Sequence, residues 1–302
     1  MRKILLASTA LVALTSASAM AADVTISGSM NFIYSSDTQD ENTDGSALGS
    51  ASDFDSETDL NVKFSATTDS GITTTLNVGI DESNVNDDAT ATIAGDFGEI
   101  KIVSAAMDDN YVVSMDNAFD KAGEGTEGEG FELGGSVGES IGYKLPTLVE
   151  GLTIAVEHSN EDTTESFGYG VAYDAGIAKV SYAFISESTA ASLNNEYTSV
   201  SLSGSVADIN FGIEKNEIAA GTSIDEATLW GVSYALDAIT LAYESGVSEN
   251  ENGDFDDYTQ IAVSYSVAPG ITAVLTSSEV NDIAGSGAAD VEELEAQLKL
   301  SF

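Results

Sequence analysis

The sequence predicts an all-β protein, a 16-stranded antiparallel transmembrane β-barrel with short turns at one end and longer loops at the other. Three observations carry that prediction. Apolar and polar residues alternate in segment after segment from Val24 to Phe302, the period of an extended strand. Short turns and longer, acidic gaps follow one another almost regularly between those segments. No segment beyond the N-terminus offers the run of about 20 apolar residues that a spanning helix requires, so insertion into a bilayer would have to use strands.

The first 21 residues read as a cleaved secretory signal. Arg2 and Lys3 form a basic start, residues 4–14 are apolar, and Ala19-Met20-Ala21 supplies a small-x-small cleavage pattern. The expected mature chain, 22–302, then holds seven lysines, no arginine and all 51 acids, a formal charge of −44. That balance excludes nucleic acid as a partner, because phosphate contacts need Lys and Arg. The chain contains no cysteine, so no disulfide framework supports it.

The strands follow in order. Val24, Ile26, Met30, Phe32 and Tyr34 share one face, with Thr25, Ser27, Ser29 and Asn31 on the other. An acidic gap over 36–56 precedes Leu60, Val62, Phe64 and Ala66, and the Asp69-Ser70-Gly71 turn leads into Ile72, Thr74, Leu76, Val78 and Ile80. A second, brief gap over 81–89 leads to two short strands that meet at Gly95-Asp96; if that pair were not formed, the count would be fourteen. After the longest gap come Ile141, Tyr143 and Leu145, then Leu152, Ile154 and Val156. Four further pairs turn at Asp174-Ala175-Gly176, Ala207-Asp208, Leu236-Asp237 and Ala268-Pro269-Gly270. The last strand places Leu294, Ala296, Leu298, Leu300 and Phe302 on one face and Glu293, Glu295, Gln297, Lys299 and Ser301 on the other.

Aromatics and lysines fit an apolar outer face. Tyr173, Tyr234, Tyr265 and Phe302 fall at short-turn ends, and Tyr34, Phe184 and Tyr243 near long-loop ends, as two interfacial girdles require. Lys63, Lys101, Lys144, Lys179 and Lys299 take the polar phase of their strands. Lys215 breaks phase near a loop end, where it can reach the headgroups. The single histidine, His158, shares the apolar phase and reads as interfacial, and no nucleophile–base arrangement is visible, so no catalytic residue is assigned. Asp37, Asp40, Glu41 and Asp44, Asp87 and Asp88, and Asp254, Asp256 and Asp257 offer oxygen ligands for Ca²⁺ or Mg²⁺ at the loop rim, without the spacing of a defined calcium loop. No organic cofactor is expected.

The opening Val24-Thr25-Ile26-Ser27-Gly28, the Gly95-Asp96-Phe97-Gly98-Glu99-Ile100 turn and strand, Gly142-Tyr143-Lys144-Leu145-Pro146 and the final Phe302 resemble a general diffusion porin of Gram-negative bacteria, of the alphaproteobacterial type. The resemblance covers the mature length. It implies a homotrimer in outer-membrane lipid, periplasmic turns, extracellular loops, and Phe302 read by the barrel assembly machinery. It also implies an inward-folded constriction loop, which here must lie within 105–139. That loop carries Asp108, Asp109, Asp116, Asp120, Glu124, Glu127, Glu129 and Glu132 against Lys121, with Tyr111, Val112, Val113 and Met115 able to pin it to the wall. Family pores set an arginine-rich wall against such a loop; this chain can offer only lysines, with Lys63, Lys101 and Lys299 expected to oppose it. The expected function is passive diffusion of small hydrophilic solutes and ions, with cations preferred because carboxylate rings favour them. Two alternatives are a substrate-specific channel, which shares every feature named, and an acidic surface adhesin or S-layer-like β-protein without a pore.

Overall fold

The computed structural model describes residues 23–39, 51–81, 85–104, 110–112, 139–161, 164–189, 195–219, 226–249, 255–282 and 291–302. Sixteen strands form one closed antiparallel barrel: β1 (Asp23–Gln39), β2 (Ala51–Thr67), β3 (Thr73–Asp81), β4 (Val85–Gly95), β5 (Gly98–Val103), β6 (Ser140–Lys144), β7 (Leu152–Glu161) and β8 (Thr164–Asp174) make its first half. The second half is β9 (Ala178–Thr189), β10 (Asn195–Val206), β11 (Ile209–Ile218), β12 (Glu226–Leu236), β13 (Ile239–Glu249), β14 (Phe255–Ala268), β15 (Ile271–Asp282) and β16 (Val291–Ser301). Each strand pairs with its sequence neighbours, and β16 pairs with β1. The count is sixteen, because β4 and β5 do form a ladder from Gly95↔Gly98 to Thr90↔Val103.

The two faces of the wall are chemically opposite, and β8 shows how. Phe167, Tyr169, Val171 and Tyr173 are 50%, 39%, 38% and 50% exposed, while Ser166, Gly168, Gly170 and Ala172 between them are buried. The same inversion recurs on β12, where Trp230, Val232 and Tyr234 are exposed and Gly231 and Ser233 are not. Large apolar side chains on the outside of a closed ring are a surface made for hydrocarbon. The expected lower-girdle residues Tyr173, Tyr234, Tyr265 and Phe302 all belong to that outer face and are all exposed.

Loop lengths depart from the expected rhythm. The first acidic gap narrows to 40–50, since β1 and β2 stay paired out to Asp37↔Ala51. The second outer connection is only residues 82–84, so Asp87 and Asp88 lie in β4, and the β7–β8 connection is only 162–163. In each case the ladder continues after the apolar alternation ends, because backbone groups make the pairing and acidic side chains do not interrupt it. The tight turns hold Ala207 and Asp237 at left-handed φ of 54° and 53°.

The seam joins residues far apart in sequence. Gly28 N–H donates to the Phe302 carbonyl at 3.2 Å, and Phe302 N–H returns the bond at 3.0 Å. A Cβ on Gly28 would stand 2.7 Å from the Phe302 ring, so glycine leaves the notch over which that ring lies.

Candidate functional site: the pore lining

Cross-strand neighbours share a face, so register decides which charges line the lumen. On β2, Asp53, Asp55, Glu57 and Asp59 pair with Ser35, Ile33, Asn31 and Ser29 of β1 and form a column of exposed carboxylates on the inner face. On β16, Glu293 and Glu295 pair with Asp37 and Ser35 and extend that acidic wall across the seam. Ser29 donates to Asp59 at 3.1 Å, and Asn31 Nδ2 to Glu57 at 3.4 Å, so the β1 side chains orient the column. Lys63 and Lys299 stand on the same two strands, nearer the turn end.

A second cluster is built on β5, β6 and β7, where residues 110–112 pack against the inner wall. Gly142 is opposite Lys101 in the ladder, and a Cβ on it would overlap Asn110 Oδ1, so bare backbone makes the floor on which this segment rests. Asn110 Nδ2 donates to Ser140 Oγ at 2.8 Å, and Asn110 Oδ1 accepts from Tyr111 N–H at 2.9 Å. Val112 N–H donates to Glu157 Oε2 at 2.9 Å, and its side chain is buried against Ala155, Ala172, Ala183, Ile185 and Tyr197. Tyr111 donates its hydroxyl to Glu99, which also takes Lys144 Nζ at 2.9 Å. The ring of Tyr111 faces two ammonium groups, Lys144 at 4.9 Å and Lys101 at 5.5 Å from its centroid. Burial, reinforced by the Glu99 carboxylate, raises the Tyr111 phenol above its ordinary pKa, so it stays a neutral donor.

The family follows from the whole chain. A family model described as Gram-negative porin matches residues 7–282. The chain belongs to the Gram-negative porin family. It is an outer-membrane porin channel, a channel protein rather than a catalyst by family and fold. Solved porins share the fold at low identity. An anion-selective porin from Comamonas acidovorans is 13% identical, with TM-score 0.68, covering 93% of this chain and 100% of its own. A loop L8 deletion mutant of OmpT, an outer membrane protein of Vibrio cholerae, is 14% identical with TM-score 0.71 at the same coverage. A triple mutant of a Rhodopseudomonas blastica porin is 14% identical with TM-score 0.65, again over 93% and 100%. Among curated proteins, none matches.

Several residues singled out in the porin's sequence now have places. Lys101 does not face residues 110–112 across the lumen; it stands beneath their Tyr111 ring, on the wall that carries them. Asp108, Asp109, Asp116, Asp120, Glu124, Glu127, Glu129 and Glu132 lie outside the described residues, as do Lys121, Val113 and Met115. Asp40, Glu41, Asp44 and Asp254 also lie outside them, whereas Asp37 is a strand residue of β1 and Asp256 and Asp257 are strand residues of β14. Among the described residues no three acidic or histidine groups converge as a metal site. Lys215 projects outward with Ile213, bridging Glu217 at 2.9 Å and Glu226 at 3.1 Å. His158 is outward too, with Nδ1 3.0 Å from the Ser166 carbonyl.

The acidic column of β2 is the pore feature the sequence reading missed. Asp53, Asp55, Glu57 and Asp59 recur at every second position, which is the period of a strand face, but Asp53 and Asp55 lie in what read as a gap and Glu57 and Asp59 between it and the first apolar residue of the next strand.

Proposed function

We propose that this porin passes small hydrophilic solutes and ions down their gradients and prefers cations. The observation that carries the preference is the column Asp53, Asp55, Glu57 and Asp59, continued by Glu293 and Glu295, with no arginine in the mature chain to balance it. Carboxylates lining a water-filled passage attract cations and repel anions. A sixteen-stranded ring is wide enough to leave an aqueous channel. The carboxylates of the 105–139 segment add to the same charge, and the root of that segment, Asn110 to Val112, packs on the inner wall as a constricting loop requires.

The assembly belongs to the same proposal. The outer face of β3 to β6 carries Leu76, Val78, Ile80, Ala91, Ile100 and Ile102, an apolar band. Such a face suits contact with other copies in a homotrimer. Residues 1–21 act as the export signal and Phe302 as the terminus read during insertion.

Reversal potentials across a planar bilayer under a KCl gradient test the ionic claim. The expected sign is that of cation permeation, shrinking as salt approaches 1 M, where the Debye length is about 3 Å. Anion-selective potentials would sink it. The substitution of Asp55 and Glu57 by Asn and Gln is expected to reduce the potential, and no change would remove the column from the mechanism.

A further inference from the structure

We propose that the pore rectifies: it passes more ionic current when its loop end is positive than when its turn end is, because the wall changes sign along the axis. The proposal deepens the channel reading above and rests on it. β2 and β16 flank β1, and both run from the loop end to the turn end. On the lumen face of β2 the order is Asp59, Asn61, Lys63, and on that of β16 it is Glu295, Gln297, Lys299. Each strand therefore descends from acid through amide to lysine. Above these triplets stand Asp53, Asp55 and Glu57 on β2 and Glu293 on β16, while β1 between them offers the lumen only neutral side chains from Thr25 to Ser35. Four residues of strand separate acid from lysine, about 13 Å. At about 0.1 M salt the Debye length is about 10 Å, so the two zones keep their own signs.

The rest of the wall does not undo this order. Lys101, Lys144 and Lys179 also take the lumen phase near short turns, but each has acid beside it: Glu99 bonds Lys144, Asp174 is opposite Lys179, and Glu99 and Glu157 share the field of Lys101. Those groups add little net charge. Asp23 at the foot of β1 and the acids of the turns, Asp69 among them, lie beyond the lysines toward the mouth, where bulk electrolyte screens them. A positive potential at the loop end drives the cations gathered by the carboxylates and the anions gathered by the lysines toward each other, which fills the passage with carriers. The opposite potential draws both out and empties the middle. No net flow arises without a driving force, so the asymmetry shows only as a curved relation between current and voltage.

The experiment records single insertions in planar bilayers at both polarities. The chain has no cysteine, so Asp69→Cys in the exposed turn between β2 and β3 gives one handle. A maleimide-linked polymer added to one chamber then dims the current only where the turns face that chamber, which fixes the orientation. At equal and opposite voltages the current is expected to be about 1.5-fold larger with the loop end positive in about 0.1 M KCl, with the ratio falling to about 1 at 1 M, where the Debye length is about 3 Å. Adding Lys63→Gln with Lys299→Gln should remove most of the asymmetry, and Asp55→Asn with Glu57→Gln should reduce it from the other end. A linear relation in the parent, the opposite polarity, or a ratio that neither pair moves overturns the proposal. If the lysine pair fails to insert, the carboxylate pair decides alone. A linear channel with cation-selective reversal potentials would overturn rectification and leave the channel reading standing. A rectifying channel that prefers anions would defeat the cation reading alone, and the absence of any channel would defeat both.

Discussion

β5 and β6 pair over five residues, from Glu99↔Lys144 to Val103↔Ser140, whereas β1 and β2 pair over fifteen. Beside the short ladder, residues 110–112 pack against the wall. There, side chains do what backbone pairing does elsewhere: Asn110, Tyr111 and Val112 bond across to Ser140, Glu99 and Glu157. The two sectors also differ outside. Glu196, Glu217, Glu226, Glu249, Glu279 and Glu292 are exposed on the outer face of β10 to β16 near the loop ends, while the outer face of β5 and β6 carries Ile100, Ile102, Ile141 and Tyr143. One ring thus holds a sector organised around its interior and another organised around the headgroup region. Sensitivity to substitution should differ accordingly.

The largest effect is expected on the lipid side of the long-strand sector. Ile261, near the middle of β14, is outward and 54% exposed, and its neighbour Gln260 is inward and buried. Ile261→Lys should cost about 2–4 kcal/mol, the penalty for a lysine at the bilayer midplane, measured by urea unfolding from vesicles. Gln260→Lys should cost far less. Equal losses would mean that the two faces have been exchanged.

An intermediate effect belongs to the short-ladder sector. Gly142→Val would force a side chain into the space of Asn110 and Tyr111. Overpacking of this kind costs about 1–3 kcal/mol, here concentrated on residues 110–112. Swelling of proteoliposomes in sugar solutions should then show faster uptake of larger sugars than wild type. Uptake at the wild-type rate with an intact barrel would show that residues 110–112 do not restrain the passage.

The smallest effect should come from the outer ion pairs. Lys215 bridges Glu217 and Glu226 on an exposed face, and such pairs contribute about 0.2–1 kcal/mol. Lys215→Met should shift the unfolding midpoint only slightly, and a loss larger than that of Gly142→Val would reverse the ranking of the two sectors.

These two sectors were not equally legible in the sequence. The long strands announce themselves because each face is a local alternation, as in Trp230, Val232, Tyr234, and backbone pairing between neighbours needs no further information. The closing strand Val291–Ser301 was readable for the same reason. The inward cluster depends on residues that alternation cannot join: Glu157 meets Val112 across 45 positions, and Tyr111 meets Glu99 across twelve. The motifs Gly98-Glu99 and Gly142-Tyr143-Lys144 could be noticed but not explained. Structure supplies the reasons. Gly98 takes φ +107° where a Cβ would strike the Lys144 carbonyl, Gly142 makes the floor for Asn110, and Tyr143 donates its hydroxyl to the Phe97 carbonyl at 2.5 Å. Tyr111 and Val112 were recognised as able to pin the segment because they are large side chains in an otherwise acidic, glycine-rich stretch. That Lys101 lies beneath the Tyr111 ring was not legible, because phase tells which face a residue occupies and not what lies over it.

The bond between Gly28 and Phe302 belongs to the seam between β1 and β16, so β1 cannot be paired on both sides until β16 is in place. Until then both flanking strands carry open hydrogen-bonding edges, which are sites for wrong partners. An ordinary soluble domain can begin to shelter its interior while synthesis continues, but a ring whose ends are its final joint cannot. The fidelity of such a ring rests on what keeps those two edges from other strands until they meet.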